Sequence, residues 1–236
     1  MKKSAAPTPS FICKSYPAKK PGRVLFFFTA FGSKTWQYQP AYRSLNKLGY
    51  DIHSYQFQGR ELLQVDEDFL LAVGDKVIAD VHRKVAQHKS QGISEFSMFG
   101  VSMGSAFGIR CAKHTPEIKR MVLVTVYGNC AQEIWEYSLL KKMKKIYVDR
   151  GMSMQQVYDH YPEIEPTQNL HRLTDKSILL YASKGDKTIR IHNTQQLIDA
   201  AQQAGLNIET VIGTSPHVKF IVSTLLRGRR WREFLA

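Results

Sequence analysis

Apolar positions along this chain fall into short unbroken runs that alternate with longer stretches carrying one apolar stripe. Arg23 to Ala30 (RVLFFFTA) is almost wholly apolar, follows Pro21-Gly22 and ends at Phe31-Gly32-Ser33, which predicts a strand buried on both faces. A helix-like stretch from Tyr38 to Leu48 stops at Gly49. Tyr50 to Phe57 (YDIHSYQF) alternates as a second strand and is closed by Gln58-Gly59-Arg60. Between Asp66 and His88, Leu70, Leu71, Val73, Val77, Ile78, Val81 and Val85 recur near the 3.6-residue period, so a long helix is expected. Ser94 to Gly100 is a short strand feeding a turn, and Ser102 to His114 is a helix rich in small residues that ends at Thr115-Pro116. Lys119 to Tyr127 and Lys176 to Ala182 are further buried strands. A helix over Thr194 to Ala204 with Gly205 at its C-cap, a strand over Leu206 to Ile212 and a last helix after Pro216 complete the pattern.

Strands that alternate with helices predict an α/β chain, a three-layer α/β/α sandwich around a mostly parallel sheet. Residues 128–175 break the alternation, because they hold short helical stretches and turns at Gly151, Pro162 and Pro166 but no strand. They are expected to form a small helical cap or lid insertion within one domain over 23–236, preceded by a basic extension over 1–22. Ligands of open α/β sheets bind at the carboxyl ends of the strands, where such an insertion would sit.

With 236 residues, 43% hydrophobic and 22% charged, the chain is neither disordered nor a repeat protein. Its longest apolar run, Val24 to Phe31, is far short of the roughly 20 residues that span a membrane. Pro7 and Pro9 stand where the apolar region of a secretory leader would lie, so no export signal is read. The three cysteines, Cys13, Cys111 and Cys130, have neither disulfide nor zinc spacing, which points to a reducing, cytoplasmic setting. The net charge of +13 raises nucleic acid or an acidic partner. Six basic and no acidic residues within 1–23, and five basic against one acidic within 219–236, hold most of that excess. Charge confined to the ends argues against a nucleic-acid groove. It leaves at most a weak contact of the termini with an acidic partner, and the Arg227-Gly228-Arg229-Arg230-Trp231-Arg232 tail is expected to be a solvated helix end.

Gly100-Val101-Ser102-Met103-Gly104 matches G-x-S-x-G between a predicted strand and a predicted helix. A nucleophilic serine needs that strained turn, with small flanking residues where backbone approaches closely and a helix N-terminus to favour developing negative charge. It also needs a base and an acid, which in this arrangement follow in the order Asp or Glu, then His, on loops after strands. Asp186 lies in Ser183-Lys184-Gly185-Asp186 and His217 in Gly213-Thr214-Ser215-Pro216-His217, each just past a predicted strand. His192 is the rival base, near a helix start, whereas Asp175 precedes its strand and Asp199 lies mid-helix. Gly32-Ser33-Lys34-Thr35 lacks the glycines of a phosphate-binding loop, and no metal-ligand cluster appears, so no cofactor is expected.

On these motifs, residues 23 to 226 resemble the α/β-hydrolase superfamily. The resemblance implies an oxyanion hole of two backbone N–H groups, one from Met103 and one from the loop after the first buried strand. That loop reads Thr29-Ala30-Phe31-Gly32 in place of the usual His-Gly-x-Gly, which in register makes Phe31 the second donor; a shifted register would nominate Ser33. Phe31 and Trp36 are candidates to line an apolar acyl pocket. The expected activity is hydrolysis of a carboxylic ester or thioester by Ser102, His217 and Asp186 through an acyl-enzyme. The alternatives are a thioesterase or acyltransferase acting on a carrier-bound acyl group, and a non-catalytic binding protein on the same framework.

Overall fold

The computed structural model describes residues 11–57 and 67–236. Among them seven strands, β1 (Phe11–Tyr16), β2 (Arg23–Phe28), β3 (Tyr50–Phe57), β4 (Glu95–Val101), β5 (Ile118–Val124), β6 (Ser177–Ser183) and β7 (Asn207–Gly213), form one sheet in the order β1-β3-β2-β4-β5-β6-β7. β2 to β7 run parallel and β1 pairs antiparallel with β3 at the edge. The helices are α1 (Gln39–Lys47), α2 (Glu67–Ser90), α3 (Met103–His114), α4 (Cys130–Glu136), α5 (Lys141–Asp149), α6 (Met154–His160), α7 (Ile191–Gln203), α8 (His217–Arg227) and α9 (Arg229–Leu235).

The side chains of β2 show how one apolar run serves two cores. Val24, Phe26 and Phe28 pack with Val73, Val77 and Val81 of α2 and Ile109 and Ala112 of α3. Leu25 and Phe27 face the opposite layer, with Tyr42 and Leu45 of α1, Ile221 and Leu225 of α8, and Trp231 and Leu235 of α9. Successive strand residues point to opposite faces, so an uninterrupted apolar run is what a doubly covered strand requires. Each large side chain so buried contributes about 2 kcal/mol of transfer free energy. This is the three-layer, mostly parallel architecture the alternation predicts, and the turn Gln58-Gly59-Arg60 lies outside the described residues.

Four expectations are corrected. Within the segment 1–22, read as an extension, residues 11–16 are a strand of the sheet. Lys14 and Ser15 are its exposed residues, on opposite faces, and the Ser15 hydroxyl also pairs with His53 Nδ1 at 2.9 Å. β5 stops at Val124, three residues short of Tyr127, because Thr125 takes φ 53° and turns the chain away. α7 starts at Ile191, three residues before Thr194. Its first-turn polar side chains bond inward: Asn193 Oδ1 accepts the N–H groups of Gly128 and Asn129, and Thr194 Oγ1 donates to the Val126 carbonyl. The basic tail is folded structure. α9 buries Trp231 completely against Phe99, its indole N–H donates to the Thr224 carbonyl, and Arg230 pairs with Glu209.

The insertion contains α4, α5 and α6 and, among its described residues, no strand. Its second half is fastened to α3. The Glu163 carboxylate meets Lys113 at 2.5 Å and His114 at 3.1 Å, and the buried Arg110 bridges from it, at 3.7 Å, to Asp75 of α2. Burial raises the Glu163 pKa, but the hydrogen bonds and charges of Lys113 and His114 outweigh it and hold the carboxyl down at about 2.

Candidate active site

Ser102 stands between β4 and α3 with φ 53° and ψ −129°, a backbone geometry that costs a serine about 1–3 kcal/mol. Its own N–H donates to the Val124 carbonyl at 2.7 Å, and its carbonyl accepts the Ser105 N–H at 2.8 Å, so neighbouring chain over-determines the strained turn. The flanking glycines are there for space. A Cβ on Gly100 would lie 2.5 Å from Ser105 Cα, and one on Gly104 would lie 2.5 Å from both the Phe28 and Thr29 carbonyl oxygens. α3 therefore begins pressed against the carboxyl end of β2 with Ser102 raised at its N-terminus.

Asp186 and His217 come together from the loops after β6 and β7. The two loops are fastened to each other: Lys184 N–H donates to the Gly213 carbonyl at 2.9 Å, Ser183 Oγ donates to the Ser215 carbonyl at 2.5 Å, and a Cβ on Gly185 would lie 2.0 Å from the Thr214 oxygen. Asp186 is buried. Its Oδ1 accepts the N–H groups of Thr188 and Ile189 at 2.8 and 2.9 Å, which turns Oδ2 toward His217 Nδ1 at 2.6 Å. A carboxylate only accepts, so the Nδ1 position carries the proton and Nε2 is left with its lone pair. Among the described residues no hydrogen bond joins Ser102 Oγ to His217. His192, the rival base, pairs with Glu136 instead.

In the loop after β2, the Ser33 N–H is already committed to the Ala30 carbonyl and the Ala30 N–H to Tyr38 Oη, at 3.2 and 3.0 Å. The Phe31 and Met103 N–H groups make no hydrogen bond to a described residue. Phe31, Ser102 and Met103 all line a cavity of about 200 Å³, walled otherwise mainly by Leu70, Tyr127, Ile134, Leu140, Met143 and Ile189. Trp36, expected to line it too, is 63% exposed and takes no part. Most of the far wall comes from the insertion.

One residue that the sequence pattern did not single out also faces this cavity. Glu133 of α4 is 6% exposed and accepts a hydrogen bond from Asn193 Nδ2 on Oε2 at 3.1 Å. Burial pushes its carboxyl up to about 7 against the Asn193 hydrogen bond, and the nearby Glu136 and Asp186 charges add to the rise. The buried Glu165 caps the start of α4, accepting the Cys130 and Ala131 N–H groups at 2.5 and 2.9 Å, and burial raises it likewise to about 7. α4 has only seven residues, too few to display a period, and that is why Glu133 could not be placed on a buried face in advance. Among the described residues no group of three or more His, Cys, Asp or Glu side chains converges as metal ligands would.

The fold is that of the α/β-hydrolases. Over 95% of its length the chain superposes on 88% of an esterase from Pyrococcus furiosus with a TM-score of 0.63 at 14% identity. A thermostable carboxyl esterase from Bacillus coagulans is similar over 96% of this chain and 94% of its own, with a TM-score of 0.64 and 13% identity. An acylaminoacyl peptidase from Pyrococcus horikoshii reaches a TM-score of 0.71 at 11% identity, with 94% of this chain lying on 38% of that larger one. No protein-family model and no curated protein matches the sequence. The chain has the α/β-hydrolase fold.

Proposed function

We propose that the protein is a serine hydrolase that cleaves a carboxylic ester or thioester through an acyl-enzyme. The observation that carries this reading is a strained serine at the mouth of an apolar cavity on the same rim as an imidazole–carboxylate pair closed at 2.6 Å. Ser102 Oγ attacks the substrate carbonyl carbon while His217 Nε2 takes its proton, and Asp186 holds the tautomer and stabilises the imidazolium. No hydrogen bond joins the hydroxyl to the imidazole among the described residues; on this reading the contact forms with substrate in place. The Met103 and Phe31 N–H groups receive the oxyanion, each contributing about 3 kcal/mol. Collapse expels the leaving group with the proton from His217. Water, deprotonated by the same imidazole, then attacks the acyl carbonyl, and the acid departs as Ser102 recovers its proton.

Three cysteines free of disulfides support action in the cytoplasm, and among the described residues no helix is long and apolar enough to cross a membrane. The test is Ser102→Ala, which should lower hydrolysis of a short p-nitrophenyl ester by roughly 10⁶-fold. It should also abolish labelling by a fluorophosphonate while leaving the folded spectrum intact. Turnover that survives the change removes Ser102 from the mechanism.

A second reading is favoured by α5. Its exposed Lys141, Lys142 and Lys145 stand beside Leu139, Leu140 and Met143 of the cavity wall, where an acidic carrier bearing an acyl thioester would dock. It requires that turnover of the carrier-bound substrate fall as ionic strength rises. A rate indifferent to salt argues for a free ester.

A further inference from the structure

Among the described residues Glu133 is the one acidic side chain lining a mainly apolar cavity that also holds the proposed nucleophile. Its Oε2 is occupied by Asn193, but Oε1 accepts no hydrogen bond from a described residue. Among the described residues no Lys, Arg or His forms an ion pair with it, since the adjacent Arg190 and His192 are both turned to Glu136, at 3.3 and 3.2 Å. A carboxyl that is 94% buried without a cationic partner is expensive to keep and invites either protonation or a cation. A plain alkyl acyl group would pass Oε1 without pairing it. Asp186 and Glu136 add negative charge beside it and Arg190 opposes them, but Arg190 is paired with Glu136 and not with Glu133, so a cation that reaches Oε1 supplies the partner it lacks.

We propose that Glu133 Oε1 is the cation-reading subsite of the cavity, and that the preferred substrate's acyl group carries an ammonium that docks there. This rests on the serine-hydrolase reading and narrows its substrate class to esters or thioesters of short amino acids. The cavity of about 200 Å³ suits a short acyl chain, so short amino acids are the class to try first.

The test compares methyl esters of ω-amino alkanoic acids with methyl esters of alkanoic acids having the same number of chain atoms, from three to six carbons, the acid product being measured by chromatography. In the wild-type protein at pH 8, kcat/KM for at least one amino ester exceeds that of its alkyl partner tenfold or more. The ratio falls at pH 6, where Glu133 is protonated. The groups around Glu133 are Glu136 and Tyr137 next to it on the chain, Tyr127, Asp186, and Arg190 with Asn193 at the start of α7. Glu133→Gln brings the ratio to about one, and Glu133→Leu inverts it. Should a variant fail to fold, the pH dependence of the wild-type ratio decides alone.

A wild-type protein that labels with fluorophosphonate and cleaves both series without preference overturns the subsite and leaves the hydrolase reading standing. The same holds for a preference that persists in Glu133→Gln. Failure of both labelling and turnover overturns the hydrolase reading, and the subsite falls with it.

Discussion

Gly104→Ala tests how tightly the nucleophile turn is built. The new methyl would meet the Phe28 and Thr29 carbonyl oxygens at 2.5 Å and the Phe28 carbonyl carbon at 2.7 Å. All three are backbone atoms of a buried strand end, so the side chain has nothing flexible to push aside. Relief to an ordinary contact near 3.4 Å requires α3 to move off β2 by something under 1 Å. Overpacking of this kind costs about 1–3 kcal/mol, which for a chain of this length lowers the melting temperature by roughly 2–12 °C. The same displacement carries the Met103 N–H and Ser102 with it, and misplacement on that scale reduces rates by up to about 10²-fold. Scanning calorimetry and p-nitrophenyl ester turnover measure the two effects side by side. Gly22→Ala serves as the control, because nothing lies within 4 Å of the methyl it adds and its φ is not positive. If Gly104→Ala melts and turns over like the control, the account of the turn as a space-limited device is wrong.

Trp231→Ala should destabilise the protein by about 3–5 kcal/mol, read from the denaturant midpoint; a midpoint unmoved would return the tail to the status of a solvated end. The buried carboxyls make a separate statement about pH. Glu133 and Glu165 titrate near about 7 in the folded chain against 4.5 for the ordinary group. As pH rises the unfolded chain therefore releases these protons first, stability is highest below 4.5, and it declines until pH passes 7, by about 3 kcal/mol per group. Urea midpoints at pH 5 and pH 8 should differ less in Glu133→Gln than in the wild type, and equal differences would refute the assignment. Glu163 acts in the opposite sense, supplying stability above 4.5 that is lost as pH falls toward about 2; its partial exposure screens the effect.

Much of this was legible in the sequence because a doubly covered parallel strand leaves a plain signature. β2, β4, β5 and β6 are apolar runs whose ends fix where the following loops lie; the ends of β4 and β6 placed Ser102 and Asp186, and the end of the more mixed β7 placed His217. β1 left no such trace. Phe11 to Tyr16 needs only one apolar face at the sheet's edge, and its Lys14 reads as part of a charged extension. Trp231 was hidden in the same way, since four arginines surround the one side chain that anchors α9. Among the oxyanion candidates the sequence left Ser33 open, and what occupies its N–H is the Ala30 carbonyl across a four-residue turn with Gly32 at φ 71°. Glu133 depends on which way a two-turn helix faces, a matter of tertiary packing.

The stapling of the β6 and β7 loops divides the reacting groups between two rigid parts. His217 and Asp186, the proposed base and acid, belong to one block at the sheet's margin, while Ser102 is carried by β4 near its middle, with β5 intervening. A change in sheet twist thus leaves the imidazole's orientation untouched and alters only its separation from the hydroxyl. If the proposed mechanism holds, turnover is exposed to anything that torques one margin of the sheet relative to its centre, even at a distance from the cavity.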